Sequence, residues 1–195
     1  MSEDQMLRPE QNCWRVENAE RFAFIVDGAD YFISLRTALL KARQSILLGG
    51  WDFDTRISLG AGNDGGPQYL GDFILWLADR TPSLEIRLLR WDTGDLSALL
   101  RGNMLWTVMR WKAHPRITLK FDAKHPIAAS HHQKIVAIDD SIAFCGGIDL
   151  TMRRWDTREH LDDDPRRVTP SGRPQEPWHD ATSAFDGDAA QAIGD

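Results

Sequence analysis

The sequence predicts an α/β fold in which helices cover both faces of a sheet. Three observations carry that reading. Short apolar runs rich in Ile, Val and Phe alternate along the chain with segments of helical period. Several runs, KIVAI (Lys134–Ile138) above all, are apolar on both faces, as strands are where helices lie on both sides of a sheet. Of the 195 residues, 42% are hydrophobic and 27% charged, an ordinary globular balance with enough apolar side chains for a core.

Six runs read as strands: Phe22–Val26, Ile46–Trp51, Leu84–Arg90, Ile117–Phe121, Lys134–Ile138 and Ile142–Cys145. Between the first two, Asp30 is placed to cap a helix carrying Phe32, Leu35 and Leu39. Pro67 is placed to open a second helix with Leu70, Phe73, Ile74 and Leu77 on its inner face. A third runs from about Asp95 to Trp111, weakened by Gly102, with Leu99, Trp106 and Met109 as its apolar stripe. Two stretches read as loops. Asp52–Gly66 follows a glycine-rich strand end, and Leu150–Pro177 holds four of the nine prolines and the charge run LDDDPRR. The second is expected to be solvated and mobile, and no role is assigned to it.

Residues 1–20 read as a lead-in and 21–195 as one domain. The final FDGDAAQAIGD reads as a strand end, a glycine turn and a helix that has only begun, so the chain is expected to be a fragment of something longer. The triplet WDT at Trp91–Thr93 and Trp155–Thr157, echoed at Trp51–Thr55, has unequal spacing and marks no repeat array. Because ligands of open α/β sheets bind beyond strand ends, Asp52, Asp92 and these tryptophans either line a pocket or cap strands and pack.

Acids outnumber bases 29 to 23, a net charge of −6, so no protein-wide positive field favours a nucleic-acid partner. Cys13 and Cys145 make no disulfide framework. Cys145, within AFCGG, reads as a small buried apolar residue, and a reducing, cytoplasmic setting is expected. MSEDQMLRPE has no secretory pattern, and the apolar runs are far shorter than a membrane span, so contact with lipid is expected from the surface.

The chemistry is concentrated between Ser130 and Thr157. Period 2 puts His132 and Lys134 on one face of a strand, with His131 on the other. Adjacent His131 and His132 make a poor chelate, no other His/Cys group has ligand spacing, and no metal is expected. Asp139, seven residues after His132, falls on the opposite face and opens the polar turn Asp139-Asp140-Ser141. It is expected to fix the hairpin rather than meet substrate. Gly146-Gly147 ends the next strand and allows close backbone approach. A neutral imidazole is a nucleophile, and a neighbouring ammonium offsets phosphoryl charge, so the pair suits attack on a phosphodiester.

HxKxxxxD at His132, Lys134 and Asp139, followed after six more residues by GGxD (Gly146, Gly147, Asp149), resembles the HKD signature of the phospholipase D superfamily. The string HHQKIVAID…GGIDLTMRRWDT is similar to the version in phospholipases D rather than in the small nucleases. Many members have Gly-Ser-x-Asn where this chain has Gly-Gly-Ile-Asp. The likeness extends over FIVDGADYFISLRTALLKARQSILLGGWDFDTRISL, LLRWDT and PWHDATSAFDGDAA. It implies a mixed sheet sandwiched between helices, one half of a pseudo-twofold two-domain enzyme. Such enzymes carry two motifs, and this chain has one.

The resemblance implies that His132 forms a phosphohistidine and that Lys134 stabilises the phosphorane. It further implies that Asp180, in WHD, orients the histidine of the opposite half, although Asp180 also reads simply as a turn residue. Asp149 reads equally as a cap on the backbone after Gly147. The implied reaction is cleavage of the head-group diester of a glycerophospholipid at a membrane surface, without cofactor, in partnership with a second HKD half. The alternatives are a phosphatidyltransferase of the cardiolipin synthase type, a single-motif diesterase completed by homodimerisation, and a non-catalytic phosphate-binding module.

Overall fold

The computed structural model describes residues 6–60, 62–91, 104–122 and 131–195. In chain order the elements are β1 (Phe22–Val26), α1 (Gly28–Leu39), β2 (Ser45–Gly50), α2 (Leu70–Arg80), β3 (Glu85–Trp91), α3 (Met104–Ala113), β4 (Ile117–Asp122), β5 (Ile135–Ile138), β6 (Ile142–Gly146), β7 (Ala181–Asp186) and α4 (Asp188–Gly194). The strands form one mixed sheet of order β1-β7-β6-β5-β2-β3-β4. The pairs β2/β3 and β3/β4 are parallel, and the remaining pairs are antiparallel. The six expected strands are all present. Of the seventh, β7, only the end at Phe185-Asp186 was legible, because its alternation of small and polar residues carries little apolar signal.

On one face of the sheet, Ile46, Leu48, Ile86, Leu88, Val136 and Phe144 pack in a single core with Phe32, Leu35 and Leu39 of α1, Phe73, Ile74 and Leu77 of α2, and Trp111 of α3. On the opposite face α4 covers β5, β6 and β7, and its buried Ala190 lies over the strands that carry the buried Ala137 and Ala143. Small residues on both sides let helix and sheet approach closely.

Four expectations are corrected. The N-cap of α1 is Asp27, at φ 68 and without a side-chain capping bond, while Asp30 sits in the first turn; the Asp27 carboxylate is turned away because His179 and the Asp180 N–H use it. Helix α3 buries Met104, Val108 and Trp111 and leaves Trp106 and Met109 exposed. The Trp111 indole N–H reaches the Gly71 carbonyl at 3.0 Å and thereby fixes the helix rotation. Leu99 and Gly102 lie outside the described residues.

Cys145 is exposed, since Phe144 takes the core side of β6 and strand alternation sends its neighbour outward. Nor is Leu150–Pro177 a free loop. Arg167, 2% exposed, binds Asp156 at 3.1 Å and the carbonyls of Leu161, Asp162 and Gln175 at 2.7–3.0 Å, tying the segment to itself around a buried guanidinium.

Candidate active site

The register brings functional residues to one end of the sheet. Gly49 of β2 lies beside Ile135 of β5, Ile135 beside Cys145 of β6, Cys145 beside Ser183 of β7, and Ser183 beside Phe24 of β1. The residues just past these positions, His132 and Lys134 before β5, Trp51 after β2, Asp149 after β6, Asp180 before β7 and Asp27 after β1, therefore gather at the same edge. Lys134 immediately precedes β5 rather than lying within it.

Lys134 is 8% exposed and Asp149 2%. The Lys134 ammonium lies 2.9 Å from Asp149 Oδ2 and donates to the His132 carbonyl at 3.3 Å. An ammonium has three N–H donors, and these two contacts use two of them. Asp149 Oδ1 also accepts the Trp51 backbone N–H at 3.3 Å, so the carboxylate both caps backbone and holds the lysine. The exposed His132 imidazole stands edge-on to the Trp51 indole, ring centroids 5.7 Å apart. His131 Nδ1 lies 3.1 Å from Asp122 Oδ2. Asp52 is 2.7 Å from the buried Arg90 guanidinium, a salt bridge between adjacent strand ends. Asp92 lies outside the described residues.

Gly146 and Gly147 are glycine for steric reasons. A Cβ on Gly146 would run into Thr182, and one on Gly147 into the Asp180 carboxylate. Asp180 thus stands directly over the Gly-Gly strand end. Its position is fixed by reciprocal backbone contacts with Asp27: the Asp27 N–H donates to the Asp180 carbonyl at 2.8 Å, and the Asp180 N–H to Asp27 Oδ1 at 3.1 Å.

Asp139 lies at the far end of β5, five residues from Lys134, or roughly 16 Å along an extended strand. It does not share the site. With Asp140 and Ser141 it forms the three-residue turn between β5 and β6, Asp139 and Asp140 both at φ near +50°, with the Ser141 N–H on the Ile138 carbonyl at 3.0 Å. Its carboxylate accepts the backbone N–H groups of Arg43, Gln44 and Ser45, each at 2.8 Å. The expectation that it fixes the hairpin therefore needs widening: the carboxylate anchors the start of the neighbouring strand β2.

One group missed by sequence reasoning has the arrangement of a cation site. His179 Nδ1 lies 2.9 Å from Asp27 Oδ1 and 3.0 Å from His160 Nε2, and His160 Nε2 lies 3.2 Å from Asp27 Oδ2. His160 Nδ1 faces Asp156 Oδ2 at 3.4 Å, a carboxylate behind the imidazole that would orient a ligand nitrogen. Burial works to raise the Asp156 carboxyl pKa, but the N–H groups of Trp178 and Thr157, with His160 and Arg167, hold it below the usual range. These residues are capable of holding a divalent cation. Ligand spacing could not reveal them, because the three come from β1, the long loop and the approach to β7.

The family model described as phospholipase D matches residues 38–195. Phospholipase D C of Dictyostelium discoideum is 26% identical over 86% of this chain and 12% of its own length. Phospholipase D1 of Saccharomyces cerevisiae is 30% identical over 83% of this chain and 10% of its own. The chain thus spans only about a tenth of these curated relatives. Among solved structures, NucT from Helicobacter pylori superposes with a TM-score of 0.54 at 14% identity, covering 89% of this chain and 91% of that one. Phosphatidylserine synthase of Haemophilus influenzae superposes at 0.60 with 13% identity, over 91% of this chain and 36% of that one. These structures share the fold, a mixed sheet between helices. With most of its length under the family model and the His132–Lys134 pair at the sheet end, the chain belongs to the phospholipase D family.

Proposed function

We propose that this chain supplies one catalytic half of a phospholipase D-type phosphodiesterase acting on the head-group diester of glycerophospholipids at a membrane surface. The observation that carries the proposal is the exposed His132 imidazole beside a buried Lys134 whose ammonium is held by Asp149. A neutral His132 nitrogen attacks phosphorus, the P–O bond to the head-group alcohol breaks, and a histidine of the second half protonates the departing oxygen. Water, or another alcohol, then loses its proton to that second histidine and displaces His132 from phosphorus, giving phosphatidic acid or a transphosphatidylation product. Lys134 neutralises charge on the phosphoryl oxygens in both steps. In this reading Asp180, which lies against Gly147, orients the partner histidine.

The test is turnover of phosphatidylcholine vesicles by the complete two-motif enzyme, wild type against His132→Ala. Loss of activity with an unchanged melting temperature is expected. A phosphoenzyme trapped in the His132→Ala protein would overturn the nucleophile assignment. A second reading, a single-motif diesterase completed by homodimerisation, is favoured by the near-complete mutual coverage with NucT. Solution mass of the 195-residue chain, with assays on a soluble diester and on DNA, separates the two: an active dimer supports this second reading, and activity only with a second half supports the first.

A further inference from the structure

A cavity of about 560 Å³ lies between the N-terminal half of α1, the segment 56–60 and the long loop 150–177. Neither His132 nor Lys134 lines it. Its wall is apolar, with Phe32, Ile57, Met152, Trp155 and Val168, and exposed Ile33 and Tyr69 also line it. The walls are anchored. The Ala29 N–H binds the Asp156 carbonyl at 3.0 Å, and Arg167 ties the loop together from behind. This is a pre-formed, mostly apolar cavity of the size that binds small ligands.

One polar feature narrows the ligand. Of the three guanidiniums around the cavity, Arg56 is paired with Asp54 and Arg166 with Asp164, each at 2.6–2.7 Å. The exposed Arg153 has no carboxylate partner among the described residues. The cavity therefore asks for an apolar body and an anion. A methylene takes up about the volume of a water molecule, roughly 30 Å³, so one chain of sixteen to eighteen carbons needs about 500 Å³ and two chains about twice that.

We infer that this cavity binds a single-chain anionic lysophospholipid: the acyl chain along Phe32, Ile57 and Met152, and the phosphate at Arg153. The lipid chemistry rests on the function proposed above, whereas the cavity does not. The test is calorimetric titration of the 195-residue chain with 1-oleoyl lysophosphatidate below its micelle concentration, against 1-oleoyl lysophosphatidylcholine, oleate and glycerol 3-phosphate. One-to-one binding is expected for lysophosphatidate, at least tenfold tighter than for lysophosphatidylcholine or oleate, and none for glycerol 3-phosphate.

Arg153→Glu is expected to remove the preference over lysophosphatidylcholine, and Ile33→Glu to weaken both lysolipids at least tenfold. Both side chains are exposed, so melting temperatures are expected to stay at the wild-type value. Equal affinity for the two lysolipids, or wild-type affinity in both variants, would overturn the inference. His132→Ala is expected to bind lysophosphatidate like wild type, so failure of the catalytic reading leaves this measurement standing, and failure of binding leaves the catalytic reading untouched.

Discussion

Replacing Asp139 separates anchoring from chemistry, because this residue of the motif lies at the wrong end of β5 to touch a substrate held by His132. Its carboxylate accepts three backbone N–H bonds at 2.8 Å from Arg43, Gln44 and Ser45. Hydrogen bonds to a charged group contribute about 1.5–3 kcal/mol each. These three share one carboxylate near the surface, where water replaces part of what is lost, so about 3 kcal/mol in total is the better expectation. Asp139 also sits at φ 51, which glycine and asparagine tolerate and alanine does not, adding roughly 1 kcal/mol for alanine. At 2–4 °C per kcal/mol for a domain of this size, Asp139→Gly is expected to melt about 6–12 °C lower and Asp139→Ala about 8–16 °C lower. Asp139→Asn keeps one acceptor oxygen and is expected to lose about 1 kcal/mol. Thermal unfolding followed by circular dichroism on the 195-residue chain reads all three. Melting within a degree of wild type in Asp139→Ala, together with abolished turnover in the complete enzyme, would refute this reasoning and place Asp139 in the chemistry.

Lys134→Ala in the complete enzyme is expected to lower turnover on the order of a thousandfold, by loss of one transition-state donor, and it leaves Asp149 a buried unpaired carboxylate. Lys134→Met/Asp149→Asn is therefore expected to recover stability but not activity, read by melting temperature and initial rate together. Turnover is expected to survive exhaustive EDTA, since the proposed chemistry uses the imidazole and ammonium alone; loss of rate restored by a divalent ion would contradict that. Separately, millimolar Zn²⁺ or Ca²⁺ is expected to raise the melting temperature of the chelator-treated chain through Asp27, His160 and His179, an effect absent in His160→Ala. Asp64 is held at about 2, chiefly by the Arg36 guanidinium and further by the Gly66 N–H, against the effect of burial. A depressed carboxyl stabilises the fold above its unfolded pKa near 4 and loses that contribution as pH falls toward 2. The melting-temperature gap between wild type and Asp64→Asn is thus expected at pH 6 and to close between pH 4 and 2.

What the sequence determined by itself was local. The turn residues Asp139-Asp140 set the hairpin, and the apolar run after Lys134 set β5. The alternation of strands with helices set the α/β class, because each of these follows from neighbours within a few positions. Tertiary structure decided which partners those side chains meet. Asp139 binds backbone 94–96 residues away, and Asp27 meets His179 across 152 residues, distances that only the sheet order β1-β7-β6-β5-β2 converts into contact. The outward turn of Trp106 was likewise beyond reach: two apolar stripes on α3 have comparable local merit, and the Trp111 bond to Gly71 selects between them. The long loop 150–177 looked mobile because its composition is polar and proline-rich, yet one buried guanidinium, Arg167, orders it, since a charge removed from water must gather every acceptor within reach.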